Sequence, residues 1–253
     1  MASDTAYEDT VEAWRRARYT RLTAPDGWLT LIGKYPIEKG ASRLAVEREG
    51  QAPLELGVTF DGGRVTLEMA PGDVRELTGA GIQLGSMKLE LLLRGEEAYL
   101  RVKDSAAPAR TGFAGVPHFT VDPRWCITAR LEAPAEPREL TLDYESGAST
   151  TYRVAGVAVF EVDGKEQRLT LLHDSDQPRL YVLFKDATSR ESTYGAGRFL
   201  YAPLPVDGAV VLDFNQAFNP PCALTPWASC PLVPRENWLT VGVTAGEKRP
   251  EDH

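Results

Sequence analysis

The sequence predicts a mainly β protein, with one N-terminal helix followed by two packed β-sandwich or β-barrel units. Three observations support this class. Helical periodicity is confined to the first 22 residues, apolar and polar residues alternate in short runs further on, and Gly, Pro and Asp interrupt these runs. Alternation with a period of two indicates strands with one buried face. Many short strands separated by turns are typical of sandwiches and barrels.

The composition narrows the class of protein and its partners. Hydrophobic residues make up 43% of the 253 residues and charged residues 25%, which is typical of soluble globular proteins. The formal net charge of −8 argues against a nucleic-acid partner, because phosphate binding needs clustered Lys and Arg. No apolar run is long enough to cross a bilayer, and the acidic N-terminus lacks the apolar core of a signal peptide. We therefore expect a cytoplasmic protein without a membrane partner. The sequence does not indicate its oligomeric state.

The first predicted element is a helix over residues 5–22. Tyr7, Val11 and Trp14 recur at helical spacing and form an apolar stripe that needs a surface to pack against. A Pro-Asp-Gly turn ends the helix, so residues 1–27 form the first segment.

Residues 28–108 are predicted to form a β-sandwich that begins with the apolar run WLTLI. Apolar residues alternate with polar ones in two series, Val65, Leu67, Met69 and Ala98, Leu100, Val102. Residues 103–110, KDSAAPAR, are small and polar and contain Pro, which is typical of a linker. The boundary of the sandwich is therefore placed near residue 108.

Residues 109–253 are predicted to form a second β-barrel or sandwich. Asp163-Gly164 indicates a hairpin, because both residues tolerate positive φ. A second Asp-Gly pair at residues 207–208 is predicted to join two paired strands. The strands expected at the C-terminal end are 198–201, 209–214 and 239–243. We expect residues 193–248 to close the sheet of this unit.

Five distinctive runs of sequence follow one another in the C-terminal third of the chain. They are FKDAT at 184–188, TYGAGRFL at 193–200, LDFNQAFNPPC at 212–222, CPLVPREN at 230–237 and AGEK at 245–248. Together they resemble the prokaryotic domain of unknown function 1684. The resemblance covers this third well and the WLTL opening at residue 28 more loosely. It implies no established activity.

The resemblance also bears on two details. The Gly-rich β region after residue 28 is similar in style to a forkhead-associated sandwich. Its phosphopeptide-reading pattern, Gly-Arg followed by Ser-x-x-His, is missing, so phosphothreonine binding is not expected. Lys185 and Trp238 stand where the family pattern leads us to expect Arg.

The leading functional hypothesis is that the protein binds a small polar or anionic metabolite in a pocket under the loop of residues 213–238. Several prolines restrict this loop, which favours a fixed shape. Arg beside a Gly-rich loop can hold a carboxylate or phosphate with two hydrogen bonds. The predicted contacts are Lys185, Tyr194, Arg198, Asn215, Asn219 and Asn237.

Two other hypotheses use the same region. In the first, the protein is a hydrolase or isomerase with Asp213 and Glu236 as its acid and base, provided that the last strand pairs with residues 209–214. In the second, the domain is structural, and an Asp186–Arg198 ion pair ties neighbouring strands together. The question of catalysis stays open at this point. No cofactor is predicted, and a metal ion is left open.

The three cysteines do not form a disulfide framework. Cys222 and Cys230 are separated by seven residues. They could bind a metal ion together, form a redox pair, or include a nucleophile. Structural zinc usually needs four ligands, and no histidine is adjacent in sequence to activate a thiol. Two buried thiols under Pro-rich loops are therefore the favoured interpretation.

Overall fold

The computed structural model describes residues 2–48, 50–94 and 97–250, without the side chains of residues 2–4 and 51. The chain divides into two compact units, one of Met1–Tyr19 with Ala114–His253 and one of Thr20–Phe113. We call them the large and the small unit. The protein is mainly β and starts with a helix, so the predicted fold class is confirmed. The three-segment division stays a prediction.

Helix α1 spans Ala2–Leu22, so it begins three residues before the predicted start and ends where predicted. Its apolar stripe packs against the protein as predicted. Val11 is fully buried, and the ring centres of Trp14 and Phe218 are 6.3 Å apart. A second helix, α2, is a single turn over Pro108–Thr111.

The small unit consists of two four-stranded antiparallel sheets. Its strands are β1 Leu31–Ile37, β2 Gly40–Arg48, β3 Gln51–Phe60, β4 Val65–Glu68, β5 Val74–Leu77, β6 Ile82–Leu84, β7 Met87–Arg94 and β8 Glu97–Asp104. One sheet has the order β1-β8-β7-β6 and the other β2-β3-β4-β5. Alternate residues of both sheets, such as Val65, Leu67 and Leu100, share one buried hydrophobic cluster. This is a β-sandwich.

The large unit contains one seven-stranded antiparallel sheet. Its strands are β9 Cys126–Glu132, β10 Glu139–Asp143, β11 Ser149–Val162, β12 Lys165–His173, β13 Arg179–Phe184, β14 Arg198–Pro203 and β15 Ala209–Asp213. The order is β14-β13-β12-β11-β9-β15, with β10 paired to β11. The end strands β14 and β15 lie beside each other, so the sheet is nearly a closed barrel.

The two Asp-Gly turns behave differently from each other. Asp163 and Gly164 have φ of 50° and 73° and join β11 to β12 as predicted. The second turn, at residues 207–208, also has positive φ at both residues, but it closes only a single bridge, in which the N–H groups of Val206 and Ala209 donate to each other's carbonyls. Instead β14 pairs with β13 and β15 pairs with β9. The predicted pairing was wrong, because a turn signal fixes only the local direction of the chain.

The predicted last strand, residues 239–243, is not a strand. Its alternation is nevertheless real, because Leu239, Val241 and Val243 are buried in the core of the large unit. Its backbone bonds instead to the short run after β13: the Leu239 N–H donates to the Lys185 carbonyl at 2.8 Å, and the Val241 carbonyl accepts from the Ala187 N–H at 3.0 Å. Further along, two side chains take over, since Asp186 accepts from the Val243 N–H and Arg198 donates to the Val243 carbonyl. The alternation predicted burial correctly, but the segment is not paired in a ladder.

Candidate functional site

Arg198 lies at the start of β14, opposite Phe184 at the end of β13. This register places it beside Asp186. Arg198 Nη2 and Asp186 Oδ2 are 2.9 Å apart, and each side chain is 1% exposed. The two residues therefore form a buried ion pair, the arrangement that the structural hypothesis described.

The other terminal donors of Arg198 bond to main-chain carbonyls of the C-terminal segment. Nη1 donates to Ala245 and, at 3.2 Å, to Glu247, while Nη2 donates to Val243 at 2.9 Å. Burial lowers the pKa of Arg198 from its ordinary value, and the Asp186 carboxylate opposes that shift. The guanidinium group thus binds the protein's own backbone.

Glycine beside Arg198 permits a close approach of chain segments. Gly197 has φ of 104°, and a Cβ there would lie 2.6 Å from the Phe184 carbonyl and 2.7 Å from Val233 Cγ2. The metabolite hypothesis placed an anion beside this Gly-rich loop. The group that approaches is this chain's own backbone.

Asp213 ends β15 and faces helix α1. Its Oδ1 accepts from the Tyr7 hydroxyl at 2.7 Å, and its Oδ2 accepts from Gln216 Nε2 at 2.8 Å. Asn215 is buried and donates from Nδ2 to the Tyr7 oxygen and to the Asp122 carbonyl, each at 2.9 Å. Burial, followed by the Asp213 hydrogen bond, raises the pKa of Tyr7. The group links α1 to the end of the sheet.

Glu236 and Asn237 contact strand β12. Glu236 is about one-third exposed and lies 2.9 Å from Arg138. Asn237 is 1% exposed: its Oδ1 accepts from the Thr170 N–H at 2.7 Å, and its Nδ2 donates to the carbonyls of Thr170 and Leu183. Asn237 therefore replaces a missing strand neighbour at this point of the sheet.

Asn219 and Glu247 lie under the C-terminal half of α1. Glu247 is fully buried, and its carboxylate accepts from the Asn219 N–H at 2.6 Å and from Arg18 Nε at 2.9 Å. Asn219 Nδ2 donates to the Lys248 carbonyl at 2.7 Å. Among the residues that the structure describes, Asn219 Oδ1 and the nearby His118 Nε2 are buried without a hydrogen-bond partner.

The predicted site residues thus fall into separate groups. Asp213 contacts Asn215, and Glu236 adjoins Asn237. Within residues 2–48, 50–94 and 97–250, no hydrogen bond or ion pair joins Asp213 to Glu236. Glu236 lies against β12, whereas Asp213 ends β15, and two strands lie between these in the sheet.

Lys185 belongs to a cluster of cations that only the fold brings together. Its Nζ lies 5.0 Å from the ring centre of Trp238, which is 42% exposed, and Arg235 Cζ lies 4.1 Å from the same ring. Burial lowers the pKa of Lys185, and the like charges of Arg190 and Arg235 lower it further. We call Lys185, Arg190, Arg235 and Trp238 the cationic patch. Sequence reasoning found Lys185 but missed the two arginines, which lie 45 residues apart.

Tyr194 and the two C-terminal cysteines lie close together. The Tyr194 hydroxyl donates to the Cys222 carbonyl at 3.2 Å, and the Cys222 N–H donates to Cys230 Sγ at 3.3 Å. Burial is the largest cause that raises the pKa of Tyr194. The fold therefore brings together two thiols whose contact the sequence left open.

An open groove of about 670 Å³ lies on the outer face of β2, β3 and β4 in the small unit. Arg43, Glu55 and Glu68 supply its charged lining. Gly57 also lines the groove, and a Cβ there would lie 3.2 Å from the Glu68 Cβ. Of these strands the sequence analysis predicted the alternation of β4 alone, and it indicated no groove.

Two kinds of feature are absent from the described residues. No group of three or more His, Cys, Asp and Glu side chains there is placed to hold a metal ion. In the same part of the chain, no helix has the length and apolarity to span a membrane.

Comparisons place the chain beside other proteins. No curated protein matches it. The solution NMR structure of an uncharacterized protein of Haloarcula marismortui is 31% identical, covers 57% of this chain and 81% of its own, and has a TM-score of 0.48. A family model described as protein of unknown function (DUF1684) matches residues 111–248, which contain all eight predicted site residues. The chain therefore belongs to the DUF1684 family.

Proposed function

We propose that residues 111–248 form a non-catalytic scaffolding domain, in which the polar residues of the family signature hold the C-terminal segment on the barrel. The observation that carries this proposal is the ion pair between Arg198 and Asp186, whose side chains are each 1% exposed. An arginine that binds a ligand must present donors to an open site. Here the four terminal N–H groups of Arg198 have four acceptors inside the protein, and its remaining donor, Nε–H, is buried without a partner among the described residues.

The hydrogen bonds of the other signature residues support the same proposal. Asn237 uses both its oxygen and its amide nitrogen on the backbone of β12 and β13. Asp213 accepts hydrogen bonds at both carboxylate oxygens from residues of the same unit. A general acid and base must face one substrate. The separate partners of Asp213 and Glu236 favour the structural role over the hydrolase or isomerase hypothesis.

Thermal unfolding with a panel of metabolites and metal ions, with and without chelator, tests the proposal. Arg198→Ala and Asp213→Asn are expected to lower Tm in the absence of any compound. Glu236→Gln is the matched control, because Glu236 is partly exposed and its replacement is expected to leave the fold intact. A compound that stabilises the wild type and fails to stabilise Glu236→Gln would overturn the proposal, since a ligand stabilises by binding the folded state.

A second candidate function is the binding of a small anion at the cationic patch. The observation that favours it is that Lys185 and Arg235 lie over one exposed tryptophan, with the charge of Arg190 also acting on Lys185, in a chain of net charge −8. Converging cations raise the local concentration of anions, and arginine holds carboxylate or phosphate with two hydrogen bonds. This retains Lys185 from the metabolite hypothesis and moves the expected contacts to the surface.

Calorimetric titration with inorganic phosphate at low ionic strength tests the second candidate. The double variant Lys185→Met with Arg235→Ala is expected to lose binding. Arg64→Ala, an exposed arginine of the small unit, serves as the control and should bind as the wild type does. Equal affinity in the double variant and the control would exclude the patch.

A further inference from the structure

Two cysteines that the proposed function does not use lie in contact. Cys222 is half-buried in the turn at 221–223, and Cys230, eight residues after Cys222, is buried. The Cys222 N–H donates to Cys230 Sγ at 3.3 Å. Both residues belong to the hydrophobic cluster formed with Phe218 and Val233. The third cysteine, Cys126, lies on β9 close to Tyr7 and Asp213.

The contact between the two thiols is held from both sides. The Tyr194 hydroxyl donates to the Cys222 carbonyl at 3.2 Å. On the other side, the Leu232 N–H donates to the Asp143 carbonyl at 2.7 Å, which fixes the chain just after Cys230. A proline precedes Cys222 and another follows Cys230, and their fixed φ restricts the backbone further. The fold thus keeps the two sulfur atoms near each other.

The two thiols are not equivalent. The hydrogen bond from Cys230 lowers the pKa of Cys222, and the Tyr194 hydroxyl acts in the same direction. The same contact, together with burial, raises the pKa of Cys230. The thiolate is the nucleophile in thiol chemistry. Cys222 is also the more exposed of the two, so a reagent from solution reaches it first, and Cys230 is the buried partner beside it.

We propose that Cys222 and Cys230 form a redox-active dithiol, which a low-molecular-weight disulfide converts to an intramolecular disulfide. The Cys222 thiolate attacks one sulfur of glutathione disulfide, and the S–S bond breaks to release one glutathione thiolate, which water protonates. Cys230 then loses its proton to water and attacks the Cys222 sulfur of the mixed disulfide. The Cys222–Cys230 bond forms and the second glutathione leaves. The protein dithiol loses two electrons, and glutathione disulfide is reduced to two thiols.

The structure supports a redox role for these thiols better than a role as ligands of a structural metal ion. Zinc in a structural site takes four ligands. Around Cys222 and Cys230, the described part of the chain supplies no third side chain in a metal-binding group. The dithiol chemistry needs only the two sulfur atoms and a route for the reagent, and Cys222 is partly exposed.

Intact-mass analysis of the full chain after treatment with glutathione disulfide tests the proposal. The wild type is expected to lose two hydrogen atoms and to yield a Cys222–Cys230 peptide on mapping, and Cys126→Ser should do the same. Cys230→Ser should stop at the mixed disulfide, with one glutathione on Cys222. Cys222→Ser should leave Cys230 unmodified while folded, as judged by circular dichroism. Dithiothreitol should reverse each product.

Three results would overturn the proposal. The first is a wild type that forms no Cys222–Cys230 disulfide at an excess of glutathione disulfide. The second is a folded Cys222→Ser that takes up glutathione on Cys230 as fast as Cys230→Ser does on Cys222. The third is one zinc ion per chain that survives dialysis and is released only when the two thiols are alkylated. These results are independent of the proposed scaffolding function, because neither cysteine contacts Arg198 or Asp213 through a hydrogen bond in the described residues.

Discussion

Arg198 and Asp186 form an ion pair of 2.9 Å that is sealed inside the large unit. Asp186 Oδ1 also accepts from the N–H groups of Thr188 and Val243. Between them the two side chains hold the backbone of the C-terminal segment at Val243 and Ala245. A buried charge without its partner is costly, so these contacts depend on both residues being present.

Glycine at position 246 is required by a close approach and not only by its φ of +76°. A Cβ there would lie 2.5 Å from the Ala217 carbonyl oxygen and 2.7 Å from that of Phe214. Gly246→Ala is therefore expected to lower the free energy of unfolding by about 3 kcal/mol or more. Urea denaturation measures the loss.

Gly164→Ala is the matched control for Gly246→Ala. Gly164 has a similar φ of +73°, but a Cβ there meets no atom within 4 Å. Its replacement should cost only the conformational strain of about 1–2 kcal/mol. Equal losses in the two variants would contradict the close approach at Gly246.

Arg18 anchors helix α1 to the barrel. It donates to the buried Glu247 carboxylate and to the Asn219 carbonyl, each at 2.9 Å, and it lies 4.6 Å from the ring centre of Phe218. Arg18→Met should cost about 3 kcal/mol, because it leaves the Glu247 charge buried without its partner. Arg16→Met, on the exposed side of the helix, should change stability by about 0.5 kcal/mol or less. Similar unfolding curves for the two variants would contradict the anchor.

Asn237 satisfies three backbone groups that have no strand partner. Asn237→Asp should cost about 3 kcal/mol, because its carboxylate would replace the amide donor that faces the Thr170 and Leu183 carbonyls. Glu236→Gln alters the neighbouring, partly exposed side chain and should cost about 1 kcal/mol or less. Urea denaturation at neutral pH compares the variants, and a stable Asn237→Asp would refute the role given to Asn237.

His118 should make the protein less stable as the pH falls. Burial lowers its pKa, with Glu247, Glu12 and Arg15 as the charged groups that face it. Below the unfolded pKa of about 6.5, the unfolded chain therefore binds more protons than the folded protein, and linkage then requires stability to rise with pH. The stability lost between about pH 7 and pH 5 should be smaller in His118→Asn than in the wild type. An identical loss in both proteins would rule out His118 as the titrating group.

The fold class was predictable because burial patterns are local. The alternation around Val65 and the turn at Asp163 both specify their own neighbourhood, and both predictions are confirmed. Strand partners are not local. The alternation at Leu239 predicted burial, but it could not show that the backbone partners of this segment are Lys185 and Ala187 and that side chains hold Val243.

The arrangement around the predicted site could be predicted only in part. The Asp186–Arg198 pair was foreseen as the structural alternative, because the two residues lie close in sequence. The partners of Asp213 and Glu247 are Tyr7 and Arg18, each more than 200 residues away. Spacing in the sequence carries no information about such distant contacts. The polar residues of the C-terminal third were therefore interpreted as a ligand site.

A double-mutant cycle on Arg198 and Asp186 tests the scaffolding account most directly. Urea denaturation would be measured for the wild type, Arg198→Met, Asp186→Asn and the double variant. The account predicts a loss of about 3 kcal/mol or more in each single variant and a coupling energy of about 2 kcal/mol or more. Losses below about 1 kcal/mol, with coupling below about 0.5 kcal/mol, would contradict it, because the two residues would then do little to hold the C-terminal segment in place.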